Sequence, residues 1–196
     1  MKKLIAFTIL IFWPLNLFFN GGKQSFPLEN FTKTIFQQDY QAEQRILEKI
    51  NLYPTVFLAR VYQNKARIYL DKASSNLLAL TDLNNYFFGF HPRQIIGNQN
   101  LKKFPFVSII FFLTGLYFFN RLKHKKLILQ IAIPSLVYLS LLENFDRIDI
   151  LLWLPISLVI LGGLDIVSLG KYWKYTASAF WIFTVPQLLR IFLGYQ

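Results

Sequence analysis

The residues best suited to chemistry lie in a polar and aromatic run at positions 82–93. His91 can exchange a proton near neutral pH, and Arg93 can bind a phosphate or carboxylate through two hydrogen bonds. Pro92 stands between them and fixes a turn. The pair predicts a site beside a bilayer for a lipid phosphate or an anionic sugar donor.

A structural interpretation of the same run is the favoured alternative. Phe87, Phe88 and Phe90 would belong to the band of aromatic side chains at a membrane interface. His91 and Arg93 would only hydrogen-bond loop carbonyls, because one histidine and one arginine do not make a catalytic constellation. No catalytic residue is therefore assigned.

Asp165 is a carboxylate inside an otherwise apolar stretch, shortly after Gly162 and Gly163. A charge at membrane depth is costly, so it is a functional hypothesis by default. The two glycines would let a neighbouring helix approach closely. The favoured alternative is a structural ion pair with Lys171 or Lys174, which follow six and nine residues later.

Arg190 is the second charge within an apolar stretch and lies near the end of the last one. It is too far along that stretch to reach Asp165. Asp146 and Asp149, in the loop predicted at the same end, are its expected partners. We therefore predict that Arg190 clamps two helices together.

The composition excludes several kinds of site. With no cysteine, a disulfide framework, a thiolate metal site and a cysteine nucleophile are impossible. The sequence has no glycine-rich phosphate loop, no G-x-S-x-G elbow and no H-E-x-x-H motif. Its two histidines are distant from each other, so neither a metal site nor a cofactor is expected.

The chain of 196 residues is 54% hydrophobic and only 16% charged, which is too apolar for an ordinary soluble domain or a disordered one. A helix needs about 20 apolar residues to cross a bilayer. Five stretches approach this length and predict an all-α, polytopic membrane protein with about five transmembrane helices; they cover 4–19, 104–119, 127–142, 150–169 and 176–193.

The first stretch follows Lys2 and Lys3, as in a secretory signal peptide. Large residues occupy positions 17–19, where a cleavage site needs small ones. An uncleaved signal anchor is therefore favoured over a cleaved signal.

Charge asymmetry predicts the orientation. The segments 1–3, 120–126 and 170–175 together carry eight basic residues and no acid, whereas the loop 143–149 carries three acids and one arginine. By the positive-inside rule the N-terminus is cytoplasmic and the C-terminus extracytoplasmic. The net charge of +11 therefore indicates membrane lipids as partners, and no nucleic acid.

Three regions follow from these predictions: a signal anchor or first transmembrane helix at 1–19, an extracytoplasmic helical segment at 20–103, and a four-helix transmembrane bundle at 104–196. Within the middle region an amphipathic, basic helix is predicted from about 55 to 72, with an interruption at 73–76. Such a helix fits equally well on a membrane surface or in a small core over the bundle.

Several short motifs carry a family resemblance over about residues 55–120. They resemble a recurring stretch in bacterial multi-pass glycosyltransferase-like proteins related to the dolichyl-phosphate-mannose protein mannosyltransferases. The motifs are Tyr62-Gln63-Asn64-Lys65, Asn76, Asn85-Tyr86-Phe87-Phe88, Pro92-Arg93, Lys103-Phe104-Pro105-Phe106 and Gly115-Leu116-Tyr117.

In that family an outer loop carries an Asn-Lys pair and a His- or Asn-Pro-Arg turn before a Pro-Phe membrane helix. The resemblance therefore adds Asn64 and Lys65 to His91 and Arg93 as candidate residues for binding a lipid phosphate or another anion. The family also has acidic catalytic residues soon after its first span, and many more spans. Residues 21–28 contain no acid, so this chain would resemble a detached C-terminal portion.

The first functional hypothesis is a non-catalytic accessory or scaffold subunit that contacts lipid or a partner membrane protein at the outer face. The alternative is a remnant or subunit of a membrane glycosyltransferase that uses a polyprenyl-phosphate sugar. An enzyme is the less favoured of the two. A small transporter using Asp165 is disfavoured further, because a single intramembrane acid makes a poor proton relay.

Overall fold

The computed structural model describes residues 1–20, 32–36, 44, 48, 65–89, 102–143 and 149–193. Over these residues the protein is all-helical, as the sequence predicts, and contains no strand apart from an isolated bridge between Thr34 and Leu142. The α-helices are α1 (Lys2–Asn20), α2 (Lys65–Thr81), α3 (Asn84–Phe87), α4 (Ser108–Tyr117), α5 (Lys125–Ser140), α6 (Trp153–Ser168) and α7 (Trp173–Leu193).

Two of these helices, α1 and α7, are long and apolar enough to cross a membrane. Only 28% of the apolar window in α1 and 22% of that in α7 is buried within the protein. The core helix of a soluble protein would be mostly buried. The apolar helices α4 and α6 have 10 and 16 residues, so a crossing at five places remains a prediction.

The shortness of α4 has a local cause. Pro105 precedes the helix, and at Phe118 the backbone leaves helical geometry and enters a 3₁₀ turn at Phe119–Arg121. A ten-residue helix is about 15 Å long, half of a hydrocarbon core of about 30 Å. The predicted stretch 104–119 therefore contains a helix with irregular flanks.

The centre of the fold is a backbone contact between α4 and α6. A side chain added at Gly163 would collide with the carbonyl oxygen of Phe111, and one added at Gly115 would collide with that of Val159. The rings of Phe104, before α4, and Trp153, at the start of α6, lie 6.5 Å apart, and Leu122, after α4, lies against Gly162 of α6. The two helices therefore cross closely while they run in the same direction. Small residues permit this close approach, as the sequence predicts for Gly163.

Helix α1 lies against α6 and α7. The rings of Trp13 and Trp153, at the start of α6, are 6.0 Å apart, and those of Phe19 and Phe192, at the end of α7, are 5.0 Å apart. Phe111 of α4 contacts Phe180 of α7 at 6.0 Å. Because Phe106, before α4, contacts the later Phe183 at 5.5 Å, α4 and α7 run antiparallel, whereas α1 and α7 run in parallel.

Helix α2 is attached to the end of α5 through Asn76. The buried Asn76 side chain donates hydrogen bonds to the carbonyl oxygens of Ser140 and Leu142, at 2.9 and 2.7 Å. These carbonyls lack partners within their own helix end. The predicted interruption at 73–76 is wrong, since α2 is continuous through it: the polar residue caps another helix and leaves its own intact.

Candidate functional site

Lys102 and Arg190 lie at one end of the bundle, which we call the Arg190 end. The Asn16 side chain of α1 donates a hydrogen bond to the carbonyl oxygen of Lys102 at 3.1 Å. The Phe106 amide lies 3.3 Å from the Gln187 side-chain oxygen, to which it donates. Since Gln187 is one turn before Arg190 on α7, segment 102–106 is held between α1 and the end of α7.

Two positively charged residues lie in this region. Lys102 is partly buried, and its pKa is lowered, first by this burial and then by the positive charge of Arg190. In the described part of the chain neither residue forms an ion pair. The arrangement therefore concentrates positive charge and can bind an anion.

Lys103 is a buried lysine beside this pair, with 5% of its surface exposed. Its ammonium group donates to the Asn85 side-chain oxygen at 3.2 Å and lies 5.0 Å from the centre of the Tyr86 ring. The backbone amides of Lys103 and Phe104 donate to the Tyr86 carbonyl, and the Tyr86 hydroxyl donates to the Leu80 carbonyl at 2.9 Å. Lys103 thus links α3 to the entrance of α4.

The sequence analysis did not identify Lys102 and Lys103 as site residues. A usable signal existed, because two adjacent lysines at the predicted outer end of a span run against the positive-inside rule. Two lysines at this position therefore require a structural explanation. For Lys103 that explanation is the contact with Asn85 and Tyr86, two residues that the resemblance had already singled out.

The predicted anion-binding residues are not brought together by any described contact. Asn64, His91 and Arg93 lie in stretches that the structure leaves undescribed, and Lys65 begins α2 with an undescribed side chain. The proposed pairing of these four residues is therefore untested.

The aromatic residues of the same run differ from a simple interfacial band. Phe87 is fully buried, and its ring lies 5.7 Å from those of both Phe104 and Phe112. Phe88 is partly exposed and contacts Phe106, while Phe90 is not described. Phe87 is therefore a core residue, because α3 turns it towards α4.

Asp165 forms an ion pair, but with a partner other than those predicted. Its carboxylate lies 2.9 Å from the ammonium group of Lys2, and both side chains are largely exposed, at 68% and 44%. The sequence predicts Lys171 or Lys174 as its partner, and both follow it in the chain. The antiparallel contact of α1 with α6 instead brings Lys2 to this opposite end, which we call the Lys2 end.

Arg190 lies near Lys102, and no acid among the described side chains forms an ion pair with it. Its predicted partners, Asp146 and the side chain of Asp149, are not among the described atoms, so that pairing is also untested. In the described residues no group of three or more His, Asp or Glu side chains could hold a metal ion.

Comparisons of the chain with protein-family models, with curated proteins and with solved structures found no match.

Proposed function

We propose that the chain is a multi-pass membrane protein with about five crossing segments and a cytoplasmic N-terminus. In this proposal it acts as a non-catalytic accessory or scaffold subunit, and its outer segment contacts the lipid surface. The observation that carries the proposal is the separation of charge from apolar surface in the helix bundle.

The sides of the bundle are apolar and exposed. No charged residue occurs between Lys103 and Arg121, between Lys126 and Glu143, or between Lys174 and Arg190. Half or more of the surface of several large apolar side chains in these stretches is exposed, namely Ile110, Leu113, Ile133, Val137, Ile182, Phe183 and Leu189. Exposed apolar surface of this extent marks an interaction with lipid or protein.

The ends of the bundle support the proposed orientation. Lys2 and Asp165 meet at the Lys2 end, where the connections from α4 to α5 and from α6 to α7 also lie. These connections and the first turns of α5 and α7 carry six basic residues and no acid: Arg121, Lys123, Lys125, Lys126, Lys171 and Lys174. The positive-inside rule then assigns the Lys2 end to the cytoplasm and the Arg190 end to the outside.

The short helix α4 is compatible with a crossing segment because its flanks are covered by protein. Phe104, Pro105 and Val107 before the helix are buried. Irregular backbone is tolerated at membrane depth where protein surrounds it. We therefore place residues 104–119 across the bilayer although the helix itself is short.

The proposed contact surface of the outer segment is one face of α2. Leu70, Leu77 and Leu78 are exposed, Leu78 at 73%, and their spacing places them on one side of the helix. Arg67 and Lys72 lie on the same helix. An amphipathic basic helix of this kind fits a lipid surface, and the Asn76 contacts to α5 hold it in place.

The transferase alternative depends on His91 and Arg93 and remains a prediction of the sequence. No contact of the described residues favours it over the accessory role.

A depth measurement tests the proposal, since the chain contains no cysteine and a single engineered one can be spin-labelled without background. We expect a label at Leu78→Cys in reconstituted vesicles to be relaxed more by oxygen than by a water-soluble nickel complex. A label at Lys123→Cys should show the reverse. Equal, water-like relaxation at both positions would contradict lipid contact by α2.

A further inference from the structure

We propose that Lys102 and Arg190 form a binding site for the phosphate group of an anionic lipid in the outer leaflet. The inference rests on the proposed function, because it requires the Arg190 end to lie at the outer surface of the bilayer. It assigns a ligand class to Lys102, which the sequence does not predict as a site residue, and to Arg190, which the sequence predicts to pair with an acid.

The backbone geometry places the segments that carry these two residues side by side. Three contacts join the elements that carry them: Asn16 to the carbonyl oxygen of Lys102 at 3.1 Å, the Phe106 amide to Gln187 at 3.3 Å, and the rings of Phe19 and Phe192 at 5.0 Å. Segment 102–106 is therefore fixed from both sides, beside the last turns of α7.

The charges make this junction suitable for an anion. No carboxylate among the described residues pairs with Lys102 or Arg190, and the proximity of Arg190 is one of the two causes that lower the pKa of Lys102. A phosphate between the two cations would relieve their repulsion. A guanidinium group matches two phosphate oxygens in one plane, and an ammonium group adds a compact charge.

A purely structural role explains only half of the arrangement. Arg190 lies in the last turn of α7, where a cation interacts favourably with the helix dipole. That effect needs no second cation, and it does not account for a partly buried lysine placed against the same helix end.

The surroundings indicate a lipid phosphate instead of free inorganic phosphate. Phe19, Leu189 and Phe192 lie on the same end of α1 and α7, and about half of the surface of each is exposed. Acyl chains attached to a phosphate between Lys102 and Arg190 would contact these apolar side chains. Free phosphate would gain nothing from them.

Lipid binding by the delipidated full chain in detergent tests the proposal, measured by native mass spectrometry with phosphatidylglycerol and with phosphatidylcholine. We expect Lys102→Gln and Arg190→Gln each to weaken phosphatidylglycerol binding about fivefold and the double variant to lose one bound lipid. Arg190→Lys should retain part of the affinity. Phosphatidylcholine binding should not change among these variants.

The matched control is Lys171→Gln/Lys174→Gln, which removes the same charge from the Lys2 end and should keep that lipid. Equal losses in this control and in Lys102→Gln/Arg190→Gln would mean that overall charge attracts the lipid, and would overturn the proposal. Displacement of the lipid by inorganic phosphate alone would overturn the assignment to a lipid.

The failure of this inference differs from failure of the proposed function. If single cysteines show the expected membrane orientation but the variants bind phosphatidylglycerol normally, only the lipid site is wrong. If the cysteines do not show this orientation, Lys102 and Arg190 do not lie at the outer surface of the bilayer. Both proposals then fail.

Discussion

The ammonium group of Lys2 lies 2.9 Å from the carboxylate of Asp165 and joins the first turn of α1 to the last turn of α6. Both side chains are largely exposed, so this is a contact at the end of the bundle and not an isolated charge within it. The pair explains the acid that the sequence places in an apolar stretch.

Asp165→Asn should therefore cause only a small loss of stability. Exposed ion pairs contribute about 0–1 kcal/mol, and we expect a loss in that range in the free energy of unfolding in detergent. The charge-reversed pair Lys2→Asp/Asp165→Lys should recover most of it. A change in proton flux in vesicles containing Asp165→Asn would instead support the transporter hypothesis.

Gly163→Ala should destabilise the contact between α4 and α6. The added methyl group would collide with the carbonyl oxygen of Phe111, and its next contact, the Gly115 amide nitrogen, would lie at 2.8 Å. The backbone atoms of α4 and α6 cannot move apart easily. We therefore expect the free energy of unfolding to fall by about 1–3 kcal/mol, measured by circular dichroism during detergent exchange.

The neighbouring Gly162→Ala is the control for this prediction. The three atoms nearest to its methyl group would all belong to the side chain of Leu122, which can rotate away. We expect a clearly smaller loss, and equal effects of the two substitutions would argue against a close backbone crossing at Gly163.

Asn76→Asp should loosen α2 from α5. A carboxylate cannot donate the two hydrogen bonds that the amide gives to the carbonyls of Ser140 and Leu142, and leaving buried groups unpaired costs about 1–3 kcal/mol. Limited proteolysis should cut within residues 65–81 faster than in the natural protein. Ser74→Ala, on the exposed side of α2, should leave the rate of cutting unchanged.

The pKa of Lys102 should rise when Arg190 is neutralised. Burial and the Arg190 charge both lower it from its ordinary value of 10.5, and burial is the larger cause. In Arg190→Gln we therefore expect a partial return towards 10.5, measured by NMR on isotopically methylated lysines. A Lys102 pKa that is unchanged or lower in this variant would show that the two cations do not interact.

The same shift predicts how stability depends on pH. Between the lowered pKa of Lys102 and 10.5, the unfolded chain binds more protons at this residue than the folded one. The contribution of Lys102 to the free energy of unfolding should therefore increase as the pH rises through this window. Lys102→Gln should remove that increase in chemical unfolding followed at several pH values.

Long apolar stretches without amphipathic periodicity predict helices, and the described residues of these stretches are mostly helical. The stretches 127–142 and 176–193 lie within two to three residues of the ends of α5 and α7. The stretch 104–119 is less accurate, because apolar composition does not reveal that Pro105 and Phe118 shorten α4.

The contacts between helices could not be predicted in the same way. The pairing of Lys2 with Asp165 depends on which helix lies beside α1, and no local pattern encodes that choice. The polar run 73–76 predicts a helix interruption, whereas the Asn76 side chain donates to a carbonyl oxygen at the end of α5. Lys102 and Arg190 likewise become neighbours only through the packing of α1, α4 and α7.

Labelling of single cysteines with a membrane-impermeant maleimide is the most direct test of the crossing pattern. In intact cells or right-side-out vesicles, Glu143→Cys after α5 should react from outside, whereas Lys123→Cys before α5 should react only after permeabilisation. Reaction of both from outside, or protection of both, would contradict a crossing by α5 and with it the proposed architecture.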